Sequence, residues 1–221
     1  MTGGSADRTR VLIIDDHPLM RRGLAELLRT EPQVELCGEA ADASSAWEAI
    51  NQRHPELIIL DLSLRESDGL ELIKSVKALH PDLKILVVSM HDEKLYAERA
   101  LRAGAVGYVQ KQEAPETVLQ AVRDVLAGRV YVSEVVSERL ARALIPGEPR
   151  RKRTSLESLS DRELEVLSLM GEGLTTQQVA ERLHLSVKTV HSHRERLKLK
   201  LGLQNTVELV RYAVEAKLKK G

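Results

Sequence analysis

Along the first 128 residues the apolar positions follow two alternating periods. Short apolar runs occur at Val11–Ile14, Val34–Leu36, Leu57–Leu60, Ile85–Val88 and Gly107–Val109, each reading as a strand. The intervening and following segments, Leu19–Leu28, Ser45–Ile50, Leu70–Leu79, Lys94–Ala103 and Pro115–Ala127, carry helical spacing. Proline or glycine marks most of the joins, at Pro32, Pro55, Pro81, Gly104 and Pro115. Five strand–helix units of this length predict an α/β, doubly wound, five-stranded parallel sheet covered by helices on both faces. Such sheets bind ligands outside the carboxyl ends of their strands, at the topological switch point.

The pattern then changes. The stretch IPGEPRRKRTS, from Ile145 to Ser155, combines two prolines, a glycine and four consecutive cations, and reads as an exposed linker. From Leu159 onwards the spacing is helical and no strand is needed, so a small all-α domain is expected to follow the sheet domain.

Composition changes this picture little. Apolar residues make up 43% and charged residues 30%, so a sizeable core is available; with no Phe and only 2% aromatics it must be aliphatic. A single cysteine, Cys37, excludes an internal disulfide framework and fits a reducing compartment. The opening MTGGSADRTR lacks the apolar core of a signal peptide and no run approaches a membrane span, so a cytoplasmic protein without membrane association is expected. Charge is more informative. Residues 1–135 hold 16 Lys+Arg against 22 Asp+Glu, whereas residues 136–221 hold 17 against 11. An acidic front and a basic back suggest different partners, with polyanions suited to the rear.

The candidate chemistry lies at the strand ends. Asp61 directly follows the apolar Ile58-Ile59-Leu60, where an ion is costly to desolvate unless it caps a turn or lines a site. Asp15-Asp16 end the first strand, Ser89 the fourth, and Lys111 follows the fifth by way of Gln110. Three carboxylates brought together repel strongly unless a cation joins them, and oxygen ligands with room for water suit Mg²⁺ better than zinc. Asp61 can then act as a nucleophile toward phosphorus, with the metal and Lys111 neutralising charge on the phosphoryl oxygens. Taken singly, Asp15 and Asp16 also suit a helix N-cap pair and Lys111 a surface lysine.

The stretches VLIIDDHPLMRRGL, LIILDLSLRESDGLEL, ILVVSMHDE and RAGAVGYVQK together resemble the receiver domain of two-component response regulators, over residues 9–128. The resemblance implies that Asp61 accepts a phosphoryl group from a sensor histidine kinase. It implies that Asp16 and the Ser63 carbonyl ligate Mg²⁺ beside Asp61, with Asp15 acting directly or through water. Ser89 would hydrogen-bond a phosphoryl oxygen, Lys111 would pair with it, and Tyr108 would be the aromatic that swings inward. The family usually carries Met-Pro soon after the acceptor; here Leu64 and Arg65 stand there, which implies a more mobile loop and a cation near the pocket. Ser63 and His91 flank the expected phosphoryl position, so phosphoaspartate lifetime does not carry over from relatives.

In the rear domain, Ser160 followed by Glu163 is a capping box opening a helix that Gly171 and Gly173 end. Thr175 or Thr176 caps the next helix and Ser186 a third, the geometry of a major-groove reader. The segment LSDRELEVLSLMGEGLTTQQVAERLHLSVKTVHSHRERLKLKLGL resembles a LuxR/NarL-type helix-turn-helix over residues 153–218, leaving 129–152 as linker. Lys188, His191, Ser192 and Glu195 are expected towards the groove, and Thr189, Arg194, Lys198 and Lys200 towards phosphates. Thr175, Thr176 and Ser186, at the helix starts, complete the DNA-facing set, with His193 structural or phosphate-contacting. The departure TTQQVA, where relatives usually show an Asn-Lys-Glu pattern, bears on these phosphate contacts. His191 and His193, two apart on a helix, point to different sides and make a poor metal pair. The last helix offers Val207, Val210, Ala213 and Val214 as an apolar stripe suited to closing the core; the resemblance implies that this helix forms a homodimer contact on double-stranded DNA.

These features imply a phosphorylation-controlled transcriptional regulator rather than an enzyme. Two other readings share parts of the pattern. One is a DNA-binding regulator whose receiver fold serves only dimerisation. The other is an aspartate-nucleophile phosphohydrolase; such enzymes commonly carry a second Asp two residues after the nucleophile, where this chain has Ser63.

Overall fold

The computed structural model describes residues 8–64, 67–143, 155–183 and 185–218, and the chain divides into two compact units, 1–142 and 143–221. In the first unit, strands β1 (Thr9–Ile14), β2 (Val34–Ala40), β3 (Leu57–Leu60), β6 (Lys84–Ser89) and β7 (Gly107–Gln110) form one parallel sheet in the order β2-β1-β3-β6-β7. The order reverses between β1 and β3, so the switch point lies where those strands end, at Asp15-Asp16 and Asp61. Every residue of β3 is buried, which is why that run is continuously apolar rather than alternating.

Helices α1 (Pro18–Arg29), α2 (Ala43–Arg53), α3 (Gly69–Leu79), α4 (Glu93–Ala103) and α5 (Pro115–Leu126) connect or follow these strands. Their starts follow local chemistry. Pro18 and Pro115 occupy first turns, where the missing N–H costs nothing. Asp42 and Ser45 form a capping box on α2, and Asp92 accepts from Lys94 N–H at 2.9 Å on α4. One core cluster takes Val11, Ile13, Leu57, Ile59, Leu86 and Val88 from the strands against Leu24, Leu28, Val118 and Val122 from α1 and α5.

Two features depart from the pattern read in the chain. A two-stranded antiparallel hairpin, β4 (Ser63–Leu64) and β5 (Ser67–Asp68), follows Asp61; two-residue strands are too short to show a period. Leu64 is buried there, at 7% exposure, and Arg65 lies outside the described residues. Residues 129–142, expected within the linker, instead belong to the first unit. Tyr131 forms a parallel bridge with Gly107, accepting from Tyr108 N–H at 2.8 Å. Helix α6 (Glu134–Ala143) buries Val136, and Arg139 donates to the Lys94 carbonyl of α4 at 2.5 Å. The basic run 150–153 lies outside the described residues.

In the second unit, a 3₁₀ turn (Ser155–Ser158) leads to α7 (Asp161–Gly171), α8 (Thr176–Arg182), α9 (Val187–Leu201) and α10 (Thr206–Leu218). No strand occurs among its described residues. Leu164, Val166, Leu167, Val179, Val190, Leu197 and Leu209 are its buried centre. Gly171 lies against α10 so closely that an added Cβ would sit 2.7 Å from the Ala213 carbonyl oxygen. None of the described helices is long and apolar enough to cross a membrane.

Candidate functional site

Strand termini bring the acidic residues together. Asp61 N–H donates to the Ile14 carbonyl at 2.8 Å, and Asp15 N–H to the Ala40 carbonyl at 3.1 Å, so the sheet's own ladder sets both carboxylates side by side. Asp15, Asp16 and Asp61 are 1%, 5% and 2% exposed. From the end of β7, Lys111 reaches back, its Nζ 2.6 Å from Asp15 Oδ2 and 2.7 Å from Asp61 Oδ2. Its N–H donates to the Ser89 carbonyl at 2.9 Å, which fixes the root of the side chain.

Negative charge outweighs positive in this arrangement. Three buried carboxylates face one buried ammonium, and Asp61 Oδ1 has no hydrogen-bond partner. Burying uncompensated carboxylate charge costs several kcal/mol per ion, so a divalent cation with oxygen ligands fits the pocket. One ligand atom each from Asp15, Asp16, His17 and Asp61 lie within 4.8 Å of one another, the sole such cluster among the described residues.

Around the acceptor, Ser89 is fully buried, and its Oγ accepts from His91 N–H at 3.4 Å. Tyr108 is turned inward at 1% exposure and donates its hydroxyl hydrogen to the His91 carbonyl at 2.8 Å. Burial holds its phenol far above the usual range, with Ser89 hydrogen bonding acting the other way. Ser63 turns its hydroxyl to His91 Nε2 at 3.0 Å, and the His91 ring stacks on Tyr96 with centroids 4.3 Å apart. Gly69 is needed beside the pocket: a Cβ there would sit 2.5 Å from Leu62 Cα. Sequence reading passed over His17 and Arg21, although the adjacency of His17 to the Asp15-Asp16 pair was visible. Arg21 donates to the Asp15 carbonyl at 2.6 Å.

The second unit offers an exposed basic helix. Ser160 and Glu163 form the expected box on α7, Thr175 and Gln178 form one on α8, and Ser186 accepts from Thr189 N–H at 3.0 Å on α9. Val190 and Leu197 are fully buried, which turns Lys188, His191, Ser192 and Glu195 to solvent on the same helix. Other expected contacts are already engaged within the unit. Thr176 accepts from Arg194, Lys198 pairs with Glu195 at 2.9 Å, and Ser192 donates to the Lys188 carbonyl at 3.1 Å. Lys200, expected on phosphates, is held 2.6 Å from the buried Glu163. Burial pushes the Glu163 carboxyl up, but Lys200 and Ser160 outweigh it and leave it below its usual range. His193 is half-buried, its Nδ1 without a hydrogen-bond partner; burial, with Arg162 and Arg196 nearby, holds its basicity down.

Comparison with known proteins agrees with both units. Residues 11–123 match the response regulator receiver domain family, and residues 157–213 match the bacterial regulatory proteins of the luxR family. The oxygen regulatory protein NreC of Staphylococcus carnosus is 33% identical over 213 residues, 95% of this chain and 98% of that protein. The structure of RcsB from Salmonella enterica serovar Typhimurium, bound to promoter rprA in the presence of phosphomimetic BeF₃⁻, aligns with a TM-score of 0.68 at 28% identity. That alignment covers 94% of this chain and 98% of RcsB. A structure of two RcsB dimers bound to two parallel DNAs aligns with a TM-score of 0.65 at 29% identity, covering 93% and 98%. The chain belongs to the response regulators that join a receiver domain to a luxR-family regulatory domain.

Proposed function

We propose that Asp61 is the phosphoryl acceptor of a two-component transcriptional regulator and that its phosphorylation controls DNA binding by the second unit. The observation that carries this reading is the buried Asp61 carboxylate at a strand mouth, with one oxygen on Lys111 and the other without a hydrogen-bond partner. An Asp61 oxygen attacks phosphorus as the P–N bond to the kinase's histidine breaks, leaving an acyl phosphate on Asp61. Lys111 compensates charge on the phosphoryl oxygens, and Ser89 supplies a hydroxyl to one of them. Asp15, Asp16, Asp61 and the Ser63 carbonyl would hold Mg²⁺, which when bound screens negative charge on the phosphoryl group and pocket.

Lys188, His191, Ser192 and Glu195 read base edges in this account. Thr189, Arg194 and Lys198 position the helix on phosphates, with Thr175, Thr176 and Ser186 at the helix starts beside them. The partners are a sensor histidine kinase, double-stranded DNA and a second copy of the chain. RcsB provides the precedent for dimers on DNA. The protein acts in the cytoplasm and turns over no substrate. Ser63 stands where a phosphohydrolase places its second Asp, and its hydroxyl faces His91. The functional limits are residues 9–128 for phosphorylation and 153–218 for DNA.

Incubation with acetyl phosphate and Mg²⁺ should add one phosphoryl group by intact-mass spectrometry, and Asp61→Asn should abolish it. Unchanged labelling of the Asn variant would refute the assignment.

A further inference from the structure

We infer, on the proposed reading of α9 as the base-reading helix, that Glu195 recognises a cytosine by accepting a hydrogen bond from its N4 amine in the major groove. An acidic side chain is costly on a helix that meets phosphates. Glu195 is the single carboxylate of α9, among the cations Lys188, Arg194, Arg196, Lys198 and Lys200. Burial of Val190 and Leu197 defines the inner side of this helix, and Glu195 lies on the opposite, exposed side. It follows Lys188 by seven residues, close to two turns, so the two share one exposed row. The carboxylate is 64% exposed, and its ion pair is with Lys198 at 2.9 Å, whose side chain is 18% exposed. An exposed i,i+3 pair of this kind adds little to stability and yields readily to another donor. Lys198 meanwhile offsets the repulsion between the carboxylate and the phosphates.

Hydrogen-bonding capacity selects the base. A carboxylate accepts and does not donate. In the major groove guanine presents two acceptors, N7 and O6, and thymine presents O4 and a methyl group, so neither offers Glu195 a hydrogen. Adenine offers its N6 amine but sets the N7 lone pair beside it, against the second carboxylate oxygen. Cytosine offers the N4 amine with no acceptor next to it, and is the base from which Glu195 accepts without a clash. The neighbours in the row discriminate less. Ser192 has its hydroxyl hydrogen engaged on the Lys188 carbonyl at 3.1 Å, and the His191 ring donates or accepts according to tautomer. At 1.5 Å per residue, Lys188 and Glu195 stand about 10.5 Å apart along the helix, about three base steps, so the cytosine lies close to the base that Lys188 reads.

Selection from a randomised duplex library tests this with the full-length protein, treated with acetyl phosphate and Mg²⁺, as wild type, Glu195→Ala and Glu195→Gln. Wild type should select a C·G pair at the position Glu195 reads, where any other pair costs about 5- to 150-fold in affinity. Glu195→Ala should lose that preference and keep the others. Glu195→Gln, which donates as well as accepts, should move the preference at that position to an A·T pair. Both variants should bind unrelated duplex at least as tightly as wild type, because a negative charge has left the side that meets phosphates. A residue that only supported the fold would instead weaken binding to every duplex alike. Selection of the wild-type consensus by Glu195→Ala would overturn the inference, as would relaxation at a position that is not a C·G pair or a uniform loss on all duplexes. If wild type selects no base at any position, the reading of α9 itself falls, and the inference with it.

Discussion

At the level of single residues, cost and compensation can be followed atom by atom. Asp61 loses its hydration at the mouth of the central strand and recovers part of the loss through Lys111, which also serves Asp15. Glu163 does the same in the second unit through Lys200 and the Ser160 N–H at 2.8 Å. Both pairs lie far apart in sequence, and only the folded chain shows them. The strand-end position of Asp61 was legible because the apolar run before it made a lone carboxylate anomalous. Lys200 pairs with the buried Glu163 while its own side chain stays 40% exposed, a contact between distant residues that a cation-rich helix end does not reveal.

These residues also set a pH response. His193 has its folded-state basicity held below the ordinary 6.5, so the unfolded chain takes up the proton more readily. Its contribution is intact above that value and is lost as pH falls towards the folded-state value. Glu163 is also depressed, from an ordinary 4.5; its contribution is present above that value and lost as pH falls through the lower folded-state value. Urea unfolding of the second unit should therefore show stability falling in two legs on acidification. His193→Gln should remove the upper leg alone, and a variant keeping both legs would contradict the assignment.

Among the elements, period and punctuation located all five sheet strands and the helices between them. The two-residue hairpin after Asp61 and helix α6 escaped for different reasons. The first is too short for a period. The second is an amphipathic helix following the linker-like Gly128–Arg129, and its docking through Tyr131, Val136 and Arg139 depends on residues far away in sequence. Helix α10 was legible in type but not in orientation. Ala213 and Leu209 face inward at 3% and 0% exposure, whereas Val207, Val210 and Val214 face outward at 78%, 39% and 36%. Val207→Ser with Val210→Ser should accordingly leave the thermal midpoint of the second unit nearly unchanged while weakening dimerisation on DNA, as read by sedimentation; unaltered dimerisation would remove α10 from the contact. Gly69 tests packing at the other unit. A Cβ there meets the Leu62 backbone, which has no rotamer to yield, so Gly69→Ala should cost about 1–3 kcal/mol in urea unfolding. A neutral result would mean that α3 can slide away from the pocket loop.

Over the whole molecule, the charge asymmetry follows the division of structure. Residues 1–142, the sheet unit, hold 18 Lys+Arg against 23 Asp+Glu, and residues 143–221, the helical unit, hold 15 against 10. The isolated 150–221 fragment should bind duplex DNA with a slope of about −0.9 per neutralised phosphate in log affinity against log salt. Lys198→Ala should weaken all sequences alike, while Lys188→Ala or His191→Ala should also relax preference at one base pair; equal losses across a randomised site library would erase that division. Control by phosphorylation then requires a shift between two populated states. In the proposed function Ser89 is the residue whose hydroxyl a phosphoryl group on Asp61 would engage, beside Tyr108, which already faces inward. Such couplings amount to about 1–3 kcal/mol, or about 5- to 150-fold in affinity. The direct measurement is DNA titration at fixed salt of the full-length protein before and after acetyl phosphate treatment, in wild type, Asp61→Asn and Ser89→Ala. Wild type should gain affinity within that range, and Asp61→Asn should gain none. Ser89→Ala should take up phosphate yet lose most of the gain. Equal DNA affinity of phosphorylated and unphosphorylated wild type would contradict the account.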